Sequence, residues 1–538
     1  MKRLTSTTIT SINLSRRRLL KGGLASIMAA PLLATKGIAQ SSPGSPGTQS
    51  TPSTPSTPGT PGNGAMRLTE PKLVQAMAAA ANPADMSALF EVIKRESTAE
   101  QLYRFLYALP KGGDIHHHLG GGFLPYMWYA VGTDPKRNGG QRFYTRYRVS
   151  NLARHPLLNS PGVSYIFQWR TLNEKNFDSL PIEFKSDFKA LEDLDEAERK
   201  AWMSSVVLDE KGEGRDEFFE YHWTRLGDLM ASIHVMTELF VENMKMFGAE
   251  GTSYLEIQRG AFHYKDGKGE LLPVKDAEAF WTNRLAQKDA IETGVKVRWQ
   301  GVVLRFAPNA EETVRSWYEF IDANREVWVG LNMAGREDDN RGYPARFKGV
   351  YDEVLRKYPG IGLSIHAGEA EKPDSYIRDT LRLGATRIGH GINLLSDEDT
   401  LLRMRDSKFM VEINLISNEL LGYVPQIEKH PFPIYLRQGV PCCLNTDDRG
   451  MWDSNFTDEY FVGVKNFNLS WSELLMLGRN SYQHSFADAG LKHSLSARYE
   501  ESVAAFAAQF NDKNWKSIVD KVPAITHGYG ESVLALKL

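Results

Sequence analysis

Cysteine is nearly absent from this chain: 538 residues contain two, Cys442 and Cys443, side by side. Neighbouring cysteines rarely reach disulfide geometry, so no disulfide framework supports the fold. The cysteines therefore neither demand nor exclude an oxidising compartment. A membrane-length apolar run is missing as well. The apolar stretch within "SRRRLLKGGLASIMAAPLLATKGIAQ" (15–40) is short and interrupted by Pro31, too brief to span a bilayer, and no stable membrane insertion is expected. Acidic residues are missing from the first 40 positions, which hold seven Lys and Arg; removing those seven charges takes the net charge from −2 to −9. An acidic body argues against a nucleic acid or an anionic membrane as the main partner. A phosphate-cradling P-loop is absent too, because "GGGF" (120–123) is not followed by Lys-Ser/Thr.

What is present divides into an address, a tether and a body. Ser15, Arg16, Arg17, Leu19, Leu20 and Lys21 resemble the twin-arginine export signal, with Leu19 where Phe is commoner. Cleavage after Ala39 would leave residues 1–39 as a signal peptide and deliver a periplasmic or secreted protein. Residues 40–65 are dominated by a Ser/Thr/Pro/Gly repeat with almost nothing apolar to pack, which reads as a disordered tether. Residues 66–109 read as an N-terminal helical segment, with apolar positions recurring every three and four residues in "ADMSALFEVIKRESTAEQLYRFLYAL".

From residue 110 to 538, eight short β-rich runs alternate with longer helical patterns. They are "GGDIHHH" (112–118), "TSYLEIQ" (252–258), "VKVRWQGVVLRF" (295–306), "EVWVGLNMA" (326–334), "IGLSIHAG" (361–368), "ATRIGHG" (385–391), "FMVEINL" (409–415) and "VPCCLNTDD" (440–448). Eight β-then-α units predict an α/β fold, a (β/α)8 TIM-type barrel whose site lies at the C-terminal strand ends. The interval after strand one is too long for a plain connection. A long insertion, about 125–230, is expected there, with helical stretches such as "SDFKALEDLDEAERKAWMSS".

Residues i and i+2 of a strand share a face, so His116 and His118 can point together into the barrel mouth while His117 faces the surrounding helices. Other strand ends add His366 with Glu369, His390, and Asp447 with Asp448. Three imidazoles and one carboxylate suit zinc as ligand types. The pair Cys442–Cys443 shows no C-x-x-C or H-x-E pattern, which excludes the cytidine-deaminase type of zinc site.

These residues carry a resemblance. "PKGGDIHHHLGG", "YLEIQR", "GLNMAGRE", "SIHAGE", "RIGHGINL", "SNELLG", "HPFPIYLRQGVPCCLNTDDRG" and "FTDEY" follow one another as in the adenosine deaminase family of metal-dependent amidohydrolases, over roughly residues 110–490. The helices before the barrel and the insertion further resemble the secreted adenosine deaminase-related growth factors. The resemblance implies that His116, His118, His366 and Asp447 hold one zinc ion per chain. It implies Glu369, His390 and Asp447 as catalytic residues, and Gly335 (through its backbone N–H) and Asp448 as substrate contacts. The implied reaction deaminates adenosine, and 2′-deoxyadenosine, to inosine and ammonia. Alternatives are AMP, adenine or an N6-substituted adenosine as substrate, or a non-catalytic nucleoside-binding protein. A homodimer through residues 66–109 is implied by the growth-factor subgroup.

Several positions carry weaker assignments. Ser417 and Asn418 suit a turn as well as a role behind the ligands. Phe219 and Trp223 suit core packing better than a substrate wall, and His263 suits an exposed loop. One departure stands out: adenosine deaminases usually carry an aspartate just after the second histidine, where it holds the ribose 5′-hydroxyl. Here those positions are Leu119 and Gly120, leaving Glu217 or Glu220 of the insertion as replacements.

Overall fold

A computed structural model describes residues 83–148, 170–369 and 375–538. The expected signal and tether, residues 66–82 of the expected helical segment and residues 149–169 of the insertion lie outside the described residues.

Eight parallel strands form one sheet in chain order. They are β1 (Gly112–His118), β2 (Thr252–Gln258), β3 (Lys296–Leu304), β4 (Trp328–Ala334), β5 (Gly362–Ala367), β6 (Arg387–His390), β7 (Met410–Ile413) and β8 (Cys442–Leu444). Each falls within its predicted run. Sequential parallel strands with helical crossovers can bury both faces only by curling into a barrel. Closure between β8 and β1 is made just past β8, where His118 N–H donates to Asp447 O and Asp447 N–H donates to His116 O. Thus the seam of the barrel is also where ligand-type residues meet. Asp114 locks that seam, its carboxylate accepting Thr446 N–H (3.0 Å) and Thr446 Oγ1–H (2.6 Å).

Helices α1 (Pro83–Glu96) and α2 (Ala99–Ala108) precede the barrel. A Thr98–Gln101 capping box starts α2 by satisfying backbone donors that a helix start leaves free. Its end explains the lysine of "PKGG". Lys111 is fully buried and its ammonium donates to the carbonyls of Leu106, Tyr107, Leu109 and Glu250. Leu102, Phe105 and Leu106 of α2 are buried, with Phe105 packed on Phe506, Phe510 and Trp471. The apolar face of α2 is therefore spent inside this chain, and a dimer contact through α2 would have to use its polar face.

The insertion departs from expectation in one respect. The stretch expected to be helical begins as a strand, Phe188–Ala190, paired antiparallel with Phe143–Arg146, which also pairs with Leu172–Asn173. Helix resumes only at Glu196–Ser204. Pairing partners 42 to 46 residues upstream decide this, with the buried Arg146–Asp187 ion pair (2.7 Å) fixing the corner; a local helical period cannot report such a contact. Among the described residues no helix is long and apolar enough to cross a membrane.

Candidate active site

Strand ends bring the predicted ligands together. Nε2 of His366 lies 3.1 Å from Nε2 of His116 and 3.2 Å from Nε2 of His118. Oδ1 of Asp447 lies 3.2 Å from His118 Nε2 and 3.5 Å from His116 Nε2. Four donors bonded to zinc at about 2.0–2.1 Å in a tetrahedron would stand roughly 3.3 Å apart. The donor set therefore fits a zinc ion. Burial pulls the protonation of His118 and His366 downward, keeping both neutral. Burial acts the same way on His116, but Asp447 and Glu412 outweigh it and raise its pKa to about 10, a proton that a bound cation would displace. The alternating pleat works as expected, since His117 turns outward to Thr446 Oγ1 (2.8 Å) and to Asn243 (3.0 Å) of α3 (Ile233–Ala249).

Orientation of His116 comes from behind. Glu412 on β7 accepts from His116 Nδ1 at 2.6 Å, leaving the Nε2 lone pair for the cluster. Glu412 also accepts Ser364 Oγ–H (2.9 Å) and Arg387 Nε–H (2.5 Å), and Arg387 continues to Glu256 (2.6 Å). Burial opposes ionisation of Glu412, but Arg387 and His116 outweigh it and hold its carboxyl at about 2. This network was hidden in the sequence because Glu412, Arg387 and Glu256 sit inside apolar strand runs. The signal was there: a charge within "MVEI", "RIGH" or "YLEI" is costly unless paired.

Beside the ligands, Oε1 of Glu369 lies 2.7 Å from Nε2 of His390, and both are almost fully buried. His390 and Asp447 both adopt left-handed backbone angles, φ 64° and 54°. Such conformations cost a non-glycine residue roughly 1–3 kcal/mol and concentrate where side-chain direction matters more than local stability. Asp448 is also buried, and among the described residues its Oδ1 has no hydrogen-bond partner. A Cβ on Gly121 would lie 1.7 Å from that oxygen, so glycine there keeps the carboxyl's space open. Burial and the adjacent Asp447 charge raise the Asp448 carboxyl well above the usual range, which favours a hydrogen-bond donor.

Sequence reading missed Glu337, two residues after Gly335. Its buried carboxylate accepts Gly368 N–H (3.0 Å) and Glu369 N–H (2.8 Å), and Arg305 braces it at 3.4 Å. Glu337 thus ties the loop of Gly335 to the loop of Glu369. Replacing Glu337 by Gln turns one acceptor into a donor facing an amide and leaves Arg305 uncompensated. The expected loss is about 2–3 kcal/mol of unfolding free energy, measurable as a lower denaturant midpoint.

The weaker assignments sort as follows. Asn418 lies behind His390 in a short helix, Leu415–Leu420, rather than in a plain turn. Ser417 shares that helix and is buried. Trp223 and Met230 pack over Gly120: a Cβ there would meet them at 3.0 and 2.8 Å. Phe219 carries the Arg336 guanidinium 5.7 Å above its ring. His263 is exposed in a loop, and both cysteines are buried in and beside the barrel wall, away from the four ligands.

Known proteins agree with this arrangement. The family model described as adenosine deaminase matches residues 189–502. An adenosine deaminase of Plasmodium gallinaceum is 33% identical over 193 residues, 35% of this chain and 52% of that protein. An adenine deaminase of Chelativorans sp. (strain BNC1) is 28% identical over 261 residues, 48% of this chain and 77% of that protein. The match to the Plasmodium relative spans about half of its length. Among solved structures, the Arabidopsis N6-mAMP deaminase superposes with a TM-score of 0.53 at 18% identity, covering 74% of this chain and 99% of that one, a likeness of fold. With eight strands in barrel order, the four-ligand cluster at their ends and a family match over more than half its residues, the chain belongs to the adenosine deaminase family.

Proposed function

We propose that this protein is a zinc-dependent hydrolase that converts adenosine to inosine and ammonia. One observation carries the reading: a cluster of four ligand-type residues sits on the same barrel mouth as the buried Glu369–His390 pair and the Asp448 oxygen that has no hydrogen-bond partner among the described residues. When bound by His116, His118, His366 and Asp447, zinc would supply hydroxide at neutral pH by lowering the pKa of a water to about 7.

This chain's own residues do the rest. Attack at C6 destroys purine aromaticity, and the electron pair arrives at N1. Glu369, protonated, donates to N1 and neutralises that charge; as a carboxylate it then accepts the proton of the oxygen added at C6 and passes it to the departing amine. His390 orients the attacking oxygen. Asp448 donates to N7, an acceptor, which requires the protonated state that its burial favours. The Gly335 N–H donates to N3. Collapse of the tetrahedral carbon breaks the C6–N bond and releases ammonia.

Relatives acting on adenine and on N6-mAMP keep the substrate a question of the pocket rather than of the chemistry. A phosphate would need a cation near the mouth. Arg336 is already bound to Asp216 (2.7 Å) and Asp338 (2.8 Å), which favours an uncharged nucleoside. The test follows the loss of adenosine absorbance across adenosine, 2′-deoxyadenosine, adenine, AMP and N6-methyl-AMP. Adenosine is expected to show the highest kcat/KM. A higher value for adenine or either nucleotide would reassign the substrate.

The 5′ side of the pocket gives a sharper expectation. Trp223 and Met230 fill the space where a side chain at residue 120 would project. Glu217 is engaged as a cap on Gly214 N–H at 3.0 Å. Glu220, half-buried, is the remaining candidate of the two. Without a dedicated carboxylate, 5′-deoxyadenosine should be turned over within about tenfold of adenosine, about 1.4 kcal/mol or less. Discrimination of about a thousandfold would show that an acid such as Glu220 has taken over the hydroxyl.

A further inference from the structure

The "SNELLG" and "HPFPIYLRQG" stretches hold two residues that the reaction above leaves unused, Asn418 and His430. Both are buried, and they form a line of hydrogen bonds ending on His390. Phe432 N–H lies 3.1 Å from His430 Nδ1. His430 Nε2 lies 2.9 Å from Asn418 Oδ1, and Asn418 Nδ2 lies 2.8 Å from His390 Nδ1. His390 Nε2 then meets Glu369 Oε1 at 2.7 Å.

A histidine ring and an amide side chain can each be turned either way, so distances alone do not give the direction of such a line. The backbone amide does. Phe432 N–H can only donate, so His430 Nδ1 must accept, and a neutral His430 must carry its proton on Nε2. Burial, with the His390 ring nearby, pulls His430 down to about 3, which keeps it neutral. His430 Nε2–H then donates to Asn418, whose oxygen must face it. The Asn418 amide nitrogen is left facing His390, so His390 Nδ1 must accept. Asn414 Nδ2 lies 3.3 Å from the same Nδ1 and 3.4 Å from Nε2 and so favours neither; the direction comes from the Phe432 amide. The reverse polarity would set two N–H donors against each other at Phe432.

We propose that Asn418 and His430 are positioning residues that fix His390 as the Nε2–H tautomer, presenting a hydrogen-bond donor to the barrel mouth. His390 then holds the attacking oxygen and its developing charge by donation. It has no lone pair at Nε2 with which to remove a proton from water, and proton delivery to the purine stays with Glu369. The tautomer stands on the hydrogen-bond geometry and a neutral, buried His430; its kinetic consequence rests on the deaminase reading.

Nitrogen-15 NMR of zinc-loaded, histidine-labelled protein reads the tautomer directly, with His390 assigned by the signal lost in His390→Asn. A protonated Nε2 and a bare Nδ1 are expected in the unmutated protein. A proton on Nδ1, or on both nitrogens, overturns the proposal, and this arm needs no variant at position 418 to fold. In Asn418→Asp the carboxylate accepts from both neighbours and draws the His390 proton to Nδ1. Turnover of adenosine should then fall by about 10³-fold, the scale of a wrong histidine tautomer, with zinc near one per chain and the melting temperature retained. An unmoved proton, or turnover within about threefold of the parent, overturns the positioning role. If the unmutated enzyme deaminates no adenine compound, the functional reading fails, while the spectrum still decides the tautomer.

Discussion

Glu369→Gln should keep its zinc and lose at least about 10²-fold in turnover. Glutamine preserves size and hydrogen-bonding capacity but cannot hand a proton to N1, and a positioned proton donor contributes typically about 10²–10⁴-fold. Because Glu369 lies 2.7 Å from His390 and outside the four-ligand set His116, His118, His366 and Asp447, the substitution leaves metal binding intact. The informative measurement is paired: zinc content beside kcat and KM on one preparation. A fall in kcat with little change in KM marks an interaction made in the transition state. Near-normal turnover would remove Glu369 from the centre of the mechanism.

His118→Ala and His366→Ala should instead lose metal and activity together. Each removes one of four donors that all lie within 4.8 Å of one another, with His366 and Asp447 each 3.1–3.5 Å from His116 and His118. Even residues behind the ligands commonly change metal affinity by about 10–100-fold, so loss of a ligand should exceed about 10²-fold. Chelation of the parent protein should abolish activity, and added zinc should restore it, with about one zinc per chain. Full zinc occupancy in both variants would sink the ligand assignment. The two experiments separate cleanly, since one removes chemistry from a loaded site and the other removes the site.

How much of this was legible in the chain follows from the range over which each constraint acts. Short apolar, β-rich runs located all eight strands. The strand pleat alone predicted that His116 and His118 share a face and that His117 turns away, toward Asn243. Those are local properties, since a strand's side-chain direction is set by its own backbone. The ligand types, the place of Asp448 at a strand end and the family resemblance were likewise readable from motifs of a few residues.

What only the tertiary structure decided involves partners far apart in the chain. Strand Phe188–Ala190 reads as helix until Phe143–Arg146 pairs with it. Glu412 gives no functional signal until it meets His116, 296 residues away. Glu337 reads as an ordinary loop acid until the amides of Gly368 and Glu369 reach it. Asn418 passes for a turn residue until His390 lies against it, and only the Phe432 amide gives that contact a direction. A hydrogen bond depends on distance and polarity at both ends, and sequence specifies one end at a time. The residues proposed to bear the chemistry were therefore visible in the sequence, whereas the residues packed behind them became visible only once the barrel had closed.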